Sequence, residues 1–398
     1  MSNRLTKREG GFSLLEMMVA MGVGSIVLGA AAQLYIQGVN ATWAASQQAE
    51  LLQDFRAASD MLTRDLSLAG AGLNPGAAIA LPSATTPRYG CDQTGACHLG
   101  NANSTAVNYP LQGGVTPTLY GLIPGYIAGP TLASNPTATD VVTVVYTDSS
   151  FFLNCYTATV TAAGQVTFGP ATLPLDANGN PPAWPPAGCL PGNVTPLAGV
   201  APQNVNDTQV GLMPGDLVYF PSLGGKIVVA EVTGGAIVPG TNVNGQTTYT
   251  VPFANNDALR MNQTPAAGPP APGLNNVALN GQGTGPSRLL VITYYIDNTV
   301  TPSRLMREVS GHTPMPVVDG IVYMKFSYDL FSDLTSTPAI SQNDGGASLG
   351  LFPNQITKIN ILHMAMDSTL KGTKGYQGMD LETSVSARNL TYVNNYAN

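Results

Sequence analysis

A run of about twenty apolar residues begins at Phe12 and passes without a break into an amphipathic pattern, which predicts one long N-terminal helix. In its second half the apolar positions are spaced by four and three residues, at Leu51, Phe55, Ala58, Leu62, Leu66 and Ala69. The other faces are expected to carry the charged residues Glu50, Asp54, Arg56, Asp60, Arg64 and Asp65. Gly70, Gly72 and Pro75 are stop signals, so residues 12–70 would form a helix about 88 Å long.

Beyond this helix the pattern changes to short, alternating segments typical of β-strands, separated by stretches rich in glycine and proline. The predicted strands are Val141–Thr147, Phe151–Val160, Asp216–Phe220, Lys226–Val232, Thr247–Val251, Leu289–Ile296, Arg304–Val309, Ile321–Tyr328, Ile356–Met366 and Leu381–Leu390. Gly224-Gly225 predicts a hairpin turn, whereas residues 72–140 and 234–286 are predicted to be irregular. The predicted fold class is α+β, with a membrane-spanning and then amphipathic helix packed on an antiparallel β-sheet head that carries long Gly/Pro-rich loops.

Composition favours a protein that works outside the cytoplasm. Only 10% of the 398 residues are charged, and the chain contains 44 glycines and 31 prolines, which suggests a loop-rich β protein. Loss of residues 1–11 would change the formal net charge from −7 to about −9. An acidic surface repels phosphate, so we expect no direct binding of nucleic acid.

Glu16 is the single carboxylate in the apolar run. A charged residue at the centre of a membrane helix costs roughly 2.5 to 3.5 kcal/mol, so it requires a partner and marks a functional site. A cut between Gly11 and Phe12 would create a positively charged amine at the same depth. Within one helix this amine lies at the start and cannot easily reach Glu16, whereas the amine of a neighbouring, axially shifted copy can. Glu16 is therefore a candidate assembly contact.

Two other interpretations of this segment are possible. An ordinary secretory signal would be cleaved near Ala30–Ala32 and would yield a soluble product, but it leaves the Glu16 carboxylate unexplained. A plain membrane anchor would use Arg4, Lys7 and Arg8 to hold the N-terminus in the cytoplasm. It explains neither Glu16 nor the Gly11-Phe12 pair.

The basic leader, Gly11, Phe12, Glu16 and the apolar helix resemble the class III signal of type IV pilins and of type II secretion pseudopilins. The helix exit and the order of the C-terminal segments resemble the PilW-type minor pilins, which are related to the pseudopilin J proteins. The segments that carry this second resemblance are Thr63–Leu66, Ala69–Gly72, Leu305–Glu308, Val318–Ile321, Ile356–Ile359 and Ser384–Asn389.

The resemblance implies a pilin-like fold in three parts: a removed leader (residues 1–11), the helix (12–71) and an extracytoplasmic head with loop-rich insertions (72–398). A prepilin peptidase would cut after Gly11 and methylate the Phe12 amine. The helix would wait in inner-membrane lipid as a single-pass anchor, and would then join other minor and major pilins at the inner-membrane assembly platform. The final location would be the pilus tip at the cell surface.

The function implied is that of a minor pilin, not an enzyme, which primes or caps a type IV pilus. One alternative is a pseudopilin of a type II secretion system. A second alternative, from a different class, is a membrane-anchored periplasmic binding protein or adhesin that never enters a filament.

The four cysteines, Cys91, Cys97, Cys155 and Cys189, all follow the membrane segment, where an oxidising periplasm would favour disulfides. Three pairings are possible, and we prefer Cys91–Cys97 with Cys155–Cys189 because these are closest in sequence. A metal site that includes His98 is the alternative, but the cysteine spacing is unlike that of zinc sites. We expect no metal, no cofactor and no catalytic residues; a partial calcium-loop pattern at Asp176–Asn180 lacks the required glycine and the closing glutamate.

Overall fold

The computed structural model describes residues 11, 13–73, 79–82, 118–132, 137–148, 151, 153–170, 205–242, 247–255, 257–262, 273–332, 339–344, 356–367, 378–386 and 388–391. Within them the chain has an α+β fold in which one long N-terminal helix precedes antiparallel β-sheets. The predicted fold class is therefore confirmed.

Helix α1 spans Leu14–Ser67, and its 54 residues extend over about 81 Å. The predicted apolar stripe of its second half is buried in full, at Leu51, Phe55, Ala58, Leu62, Leu66 and Ala69. The helix ends at the expected place because Gly70 adopts a φ of 77°, a left-handed conformation that turns the chain out of the helical path.

The larger sheet receives strands from most of the head. Two short strands, β1 (Ile79–Ala80) and β2 (Thr118–Leu119), pair with each other outside it. The large sheet comprises β3 (Leu122–Gly125), β4 (Val141–Thr147), β5 (Tyr156–Ala162), β6 (Gln165–Pro170), β7 (Leu217–Leu223), β8 (Lys226–Glu231), β9 (Val238–Thr241), β10 (Thr247–Pro252), β11 (Gln282–Thr284), β12 (Ser287–Asp297), β13 (Arg304–Val309) and β14 (Met315–Asp319). Strand β12 is central, because it pairs with β4 on one side and with β7 and β13 on the other.

The smaller sheet contains the C-terminal strands in the order β16-β15-β17-β18. These are β15 (Ile321–Ser332), β16 (Ala339–Asp344), β17 (Ile356–Asp367) and β18 (Gly378–Ser386), followed by the short helix α2 (Arg388–Thr391). All pairings within this sheet are antiparallel.

One core cluster joins the buried stripe of α1 to both sheets. Its sheet residues include Val142, Val144 and Tyr146 of β4, Ile292, Tyr294 and Ile296 of β12, Met324, Phe326 and Tyr328 of β15, and Ile359, Ile361 and Met364 of β17. Burial of one such side chain stabilises the fold by about 1.5–3 kcal/mol. The C-terminal half of α1 is therefore an integral part of the head.

Four of the predicted strands have a bound that is wrong by three residues or more. Strand β7 continues to Leu223 and β15 to Ser332, and the two other segments contain a helical turn. The segment predicted as a strand from Leu381 to Leu390 ends as a strand at Ser386, and Leu390 lies in α2. Leu390 is out of phase with the alternation of β18, whose odd-numbered residues face inward, and it is buried by the helix instead. The segment predicted from Phe151 begins with a 3₁₀ turn at Leu153–Cys155 before β5.

The sequence patterns also missed eight strands, β1, β2, β3, β6, β9, β11, β14 and β16. Five of these strands fall in the two stretches predicted to be irregular: β1, β2 and β3 lie in residues 72–140, and β9 and β11 lie in residues 234–286. Every residue of β9 is exposed. A strand that buries no side chain leaves no hydrophobic alternation in the sequence, and β9 forms by backbone pairing with β10. The predicted turn at Gly224-Gly225 is confirmed: both residues have positive φ and join β7 to β8.

Candidate assembly site

The first turn of α1 carries a reciprocal hydrogen-bond arrangement around Glu16. Ser13 is the N-cap, and its side-chain oxygen accepts a hydrogen bond from the backbone N–H of Leu15 at 3.3 Å. The Glu16 carboxylate reaches back and accepts the backbone N–H of Ser13 at 3.3 Å. This capping box satisfies backbone donors that a helix start otherwise leaves without partners.

The capping box changes the view of Glu16 taken from the sequence. The carboxylate is bound by its own chain at Ser13, two residues beyond Gly11 and adjacent to Phe12. The predicted assembly role of Glu16 did not include this bond, although the Ser-x-x-Glu spacing signals it. Gly11 is exposed in front of the helix, and Phe12 lies outside the described residues.

The first half of α1 is apolar and exposed on all sides. An 18-residue window with a mean hydropathy of 1.9 has none of its residues buried within the chain. Large exposed side chains in this half include Leu14, Leu15, Met17, Met18, Met21, Ile26, Leu28, Leu34 and Tyr35. This half of the helix is long and apolar enough to cross a membrane, and α1 is the single such helix in the described part of the chain.

The hydroxyl groups of this half bind inside the helix. Ser25 donates to the carbonyl of Gly22 at 2.8 Å, and just beyond this half Thr42 donates to the carbonyl of Gly38 at 2.9 Å. Since hydrocarbon offers no hydrogen-bond partners, internal bonding of a hydroxyl lowers its cost at membrane depth. Glu16 remains the one ionisable side chain between residues 13 and 34.

At its other end, α1 is fixed to the head by a polar cluster centred on Asp65. Tyr294 of β12 donates to the Asp65 carboxylate at 2.7 Å, and Tyr146 of β4 donates at 3.2 Å. Arg307 of β13 forms an ion pair with the same carboxylate, with Nε to Oδ2 at 2.8 Å. Three adjacent strands thus hold one helix residue, which sets the direction in which α1 leaves the head.

The predicted placement of Asp65 on an exposed face is wrong, because its side chain is 6% exposed. Asp65 lies three residues after Leu62 and four before Ala69, which places it on the buried stripe. The residues that bind the Asp65 carboxylate lie far away in sequence, so no local sequence pattern indicated that this charged side chain is buried. Burial, together with the Asp65 carboxylate, raises the pKa of Tyr146 to about 12 and keeps its hydroxyl a donor.

A second buried carboxylate joins the two sheets. Asp140 precedes β4 and accepts the Lys325 ammonium at 2.7 Å and the backbone N–H of Phe326 at 3.0 Å, both from β15. It also accepts the N–H of Ile127 at 2.8 Å. Burial raises the pKa of the Asp140 carboxyl despite Lys325, so this contact holds the sheets in one arrangement at some electrostatic cost.

The remaining predicted site residues are only partly within the described structure. Cys155 is buried and disulfide-bonded, but Cys91, Cys97 and Cys189 lie outside the described residues, so the pairing stays a prediction. His98 and Asp176–Asn180 also lie outside them. His312 lies in a turn, as expected, and its Nε2 is 2.8 Å from the Asp216 carboxylate. The described residues include no group of three or more His, Cys, Asp or Glu side chains arranged to hold a metal.

Comparison with known proteins adds one match at the N-terminus. Residues 6–32 match the family described as the prokaryotic N-terminal methylation motif, and this range contains Gly11, Phe12 and Glu16. No curated protein and no solved structure matches the chain. The motif match, the exposed apolar helix and the β-rich head support a type IV pilin-like protein, either a pilin or a pseudopilin. Such a signal implies processing by a prepilin peptidase and membrane anchoring with a C-terminal head.

Proposed function

We propose that this chain is a minor pilin of the PilW type that primes or caps a type IV pilus. The observation that carries the proposal is the exposed first half of α1. Its 18-residue apolar window has no residue buried within the chain, and the methylation motif lies at the same end of the helix. Lipid can cover this surface before assembly, but Glu16 at its start favours packing against other subunits. The head begins near residue 72 and extends to residue 398, a size that suits a few copies at a tip better than a repeated shaft subunit.

Glu16 would exchange one partner for another during assembly. Before assembly the carboxylate caps its own helix through the N–H of Ser13. A helix cap is worth about 0.5–2 kcal/mol. Two unit charges 4 Å apart attract by about 4 kcal/mol at an effective dielectric constant of 20, before desolvation. A neighbour's methylated amine can therefore compete for the carboxylate, while Ser13 still caps the helix with its hydroxyl.

The proposed function of this chain depends on binding to other proteins and not on catalysis. The partners are the prepilin peptidase, the inner-membrane assembly platform, other minor pilins and the major pilin. We propose no enzymatic activity and no cofactor, and the tests of function therefore concern assembly alone. The chain would move from the inner membrane to the pilus tip.

Deletion and localisation test this function directly. We expect a strain that lacks this gene to have few surface pili, with recovery on expression of the full chain. Quantitative mass spectrometry and immunogold labelling of sheared pili should find few copies, at filament ends. Labelling along the whole shaft would contradict the minor role. Normal pili in the deletion strain, with protein retained in the membrane, would support the anchored adhesin or binding protein instead.

A further inference from the structure

A short turn after β3 exposes two large side chains next to each other. Tyr126 and Ile127, here called the turn pair, are 43% and 39% exposed, although Gly125 before them and Ala128 after them are buried. The backbone N–H of Ala128 donates to the carbonyl of Gly125 at 3.3 Å and closes the turn. Tyrosine is one of the residue types enriched at the energetic centres of protein interfaces, so this pair is a candidate contact surface.

The backbone of Ile127 is strained. Its φ is 46°, a left-handed conformation that is unfavourable for a β-branched residue. The other non-glycine residues with positive φ in the described part of the chain are not β-branched: they are Arg260, Asn280 and Ser310. Burial does not fully offset the strain, because more than a third of the Ile127 side chain is exposed. Strained residues of this kind cluster at functional sites.

Contacts below the turn hold the pair in place. The Asp140 carboxylate, which is 2% exposed, accepts the backbone N–H of Ile127 at 2.8 Å and binds the Lys325 ammonium at 2.7 Å. The same ammonium lies 4.9 Å from the centre of the Tyr126 ring, within the range of a cation–π interaction. The turn pair is therefore fixed before any partner arrives, which lowers the entropy lost on binding.

The surface that the turn presents is apolar and neutral. The three backbone N–H groups that follow Tyr126 all donate within the chain. The charge of Lys325 is balanced by Asp140. A polar ligand such as a sugar requires directional donors, whereas these donors are already in use. The turn pair therefore fits an apolar pocket on a protein.

The small size of this surface indicates a partner that is already close. An aromatic side chain buries about 150–250 Å², whereas stable complexes between independent proteins bury about 1,200–2,000 Å². A subunit whose helix packs beside α1 presents its head at a high effective concentration, so a small contact is sufficient. A bilayer fits less well, because a chain with a formal net charge of −7 is repelled by anionic lipid.

The turn pair and α1 can make contacts at the same time. Lys325 alternates along β15 with Met324 and Phe326, whose side chains pack in the core cluster that contains the buried stripe of α1. Because successive side chains of a strand point to opposite faces, Lys325 lies on the other face of β15, with the Tyr126 ring beside it.

We propose that the turn pair docks into an apolar pocket on the head of a neighbouring pilin-like subunit. The inference rests on the proposed function, because packing through α1 brings that neighbour close. The helix supplies proximity, and the turn pair selects which head is accepted, since a pocket of the wrong shape or a polar surface rejects it.

Site-specific photo-cross-linking in cells that assemble pili tests the docking. A photo-reactive phenylalanine derivative in place of Tyr126 keeps an aromatic ring, and mass spectrometry identifies the molecule attached to it. We expect cross-links to another subunit that carries a pilin signal. A second probe at the exposed position Ile26 of α1 reports helix packing in the same cells, so that a failure of docking can be distinguished from a failure of assembly.

A substitution at Ile127 tests the role of the pair. Ile127→Asn removes the apolar side chain, and asparagine tolerates the left-handed conformation. Cross-linking from the Tyr126 probe should fall about tenfold, as for loss of an interface hot spot, while the urea midpoint of the head should not fall. Leu279→Asn, the matched change at a position that is 64% exposed, should leave the cross-linking unchanged. If Ile127→Asn does not fold, Ile127→Gly must show the same loss.

Several outcomes would overturn the docking. Subunit cross-links from Ile26 with none from Tyr126 would contradict it and leave the proposed function intact, whereas absence at both positions would refute both. Cross-links from Tyr126 to lipid alone, or to a protein without a pilin signal, would exclude a neighbouring subunit as the partner. Undiminished cross-linking in Ile127→Asn would show that the pair does not carry the contact.

Discussion

The Asp65 cluster makes a quantitative prediction about how the helix is joined to the head. Asp65→Asn keeps the shape of the side chain but removes its charge and turns an NH₂ group towards donors. The amide oxygen can take the place of Oδ2, which now accepts from both Tyr294 and Arg307 at 2.7 Å and 2.8 Å, but the NH₂ group then faces the Tyr146 hydroxyl. At least one donor then loses its partner, and the Arg307 charge loses its counterion.

The cost follows from the burial of both partners. Loss of one member of a buried ion pair costs about 3–5 kcal/mol, because the remaining charge is uncompensated. The Arg307 side chain is 25% exposed, so water screens part of that charge, and we take the lower limit of about 3 kcal/mol. The Tyr146 hydroxyl, whose bond is the longest at 3.2 Å, contributes less, about 0.5–1.5 kcal/mol for Tyr146→Phe.

Urea unfolding of the full chain in detergent, followed by the circular dichroism of the β-rich head, measures these differences. The matched control is Asp60→Asn, which removes the same charge from an exposed position of α1 and should change the free energy of unfolding by less than about 0.5 kcal/mol. If Asp65→Asn were as stable as Asp60→Asn, the cluster would not hold the helix, and the argument from burial would be wrong.

Two further predictions concern processing and redox state. Gly11→Val should leave the leader attached, because we expect the peptidase to require a residue without a side chain at the cut. Mass spectrometry of the wild type should find an N-methylated Phe12 as the first residue, whereas a first residue at Gln33 would establish a secretory signal instead. Non-reducing peptide mapping should find Cys155 paired with Cys189, a bridge worth about 2–4 kcal/mol, whereas a free thiol in the exported protein would contradict the predicted disulfides.

The regular parts of this fold could be predicted because each buries one face. The stripe from Leu51 to Ala69 and the strands β4 and β13 carry enough periodic apolar residues to locate them, and the last two match their predicted bounds. The exposed β9 could not be found in this way, because backbone pairing alone holds it.

Polar contacts between distant segments were harder to predict than apolar burial. Asp65 meets Tyr294 and Arg307 across 229 and 242 residues of sequence, and no local pattern encodes that proximity. The capping box is different, because Ser13 and Glu16 are three residues apart and their spacing is a known helix-start signal. Glu16 could thus be identified as important from the sequence, and the same three-residue spacing was sufficient to predict its bond to Ser13, which our sequence analysis did not use.

The most direct test of the central claim is a cross-linking measurement in the inner membrane. A photo-reactive residue placed at the exposed position Ile26 of α1 reports which molecules contact the apolar half of the helix. We predict cross-links to other pilin subunits in the wild type, and their loss in Glu16→Val although the leader is still cleaved and the head still folds. Glu50→Gln, which removes a carboxylate from the same helix beyond the apolar half, should keep the cross-links. Identical subunit cross-links in Glu16→Val, or cross-links to lipid alone in the wild type, would contradict the account of Glu16 as the assembly contact.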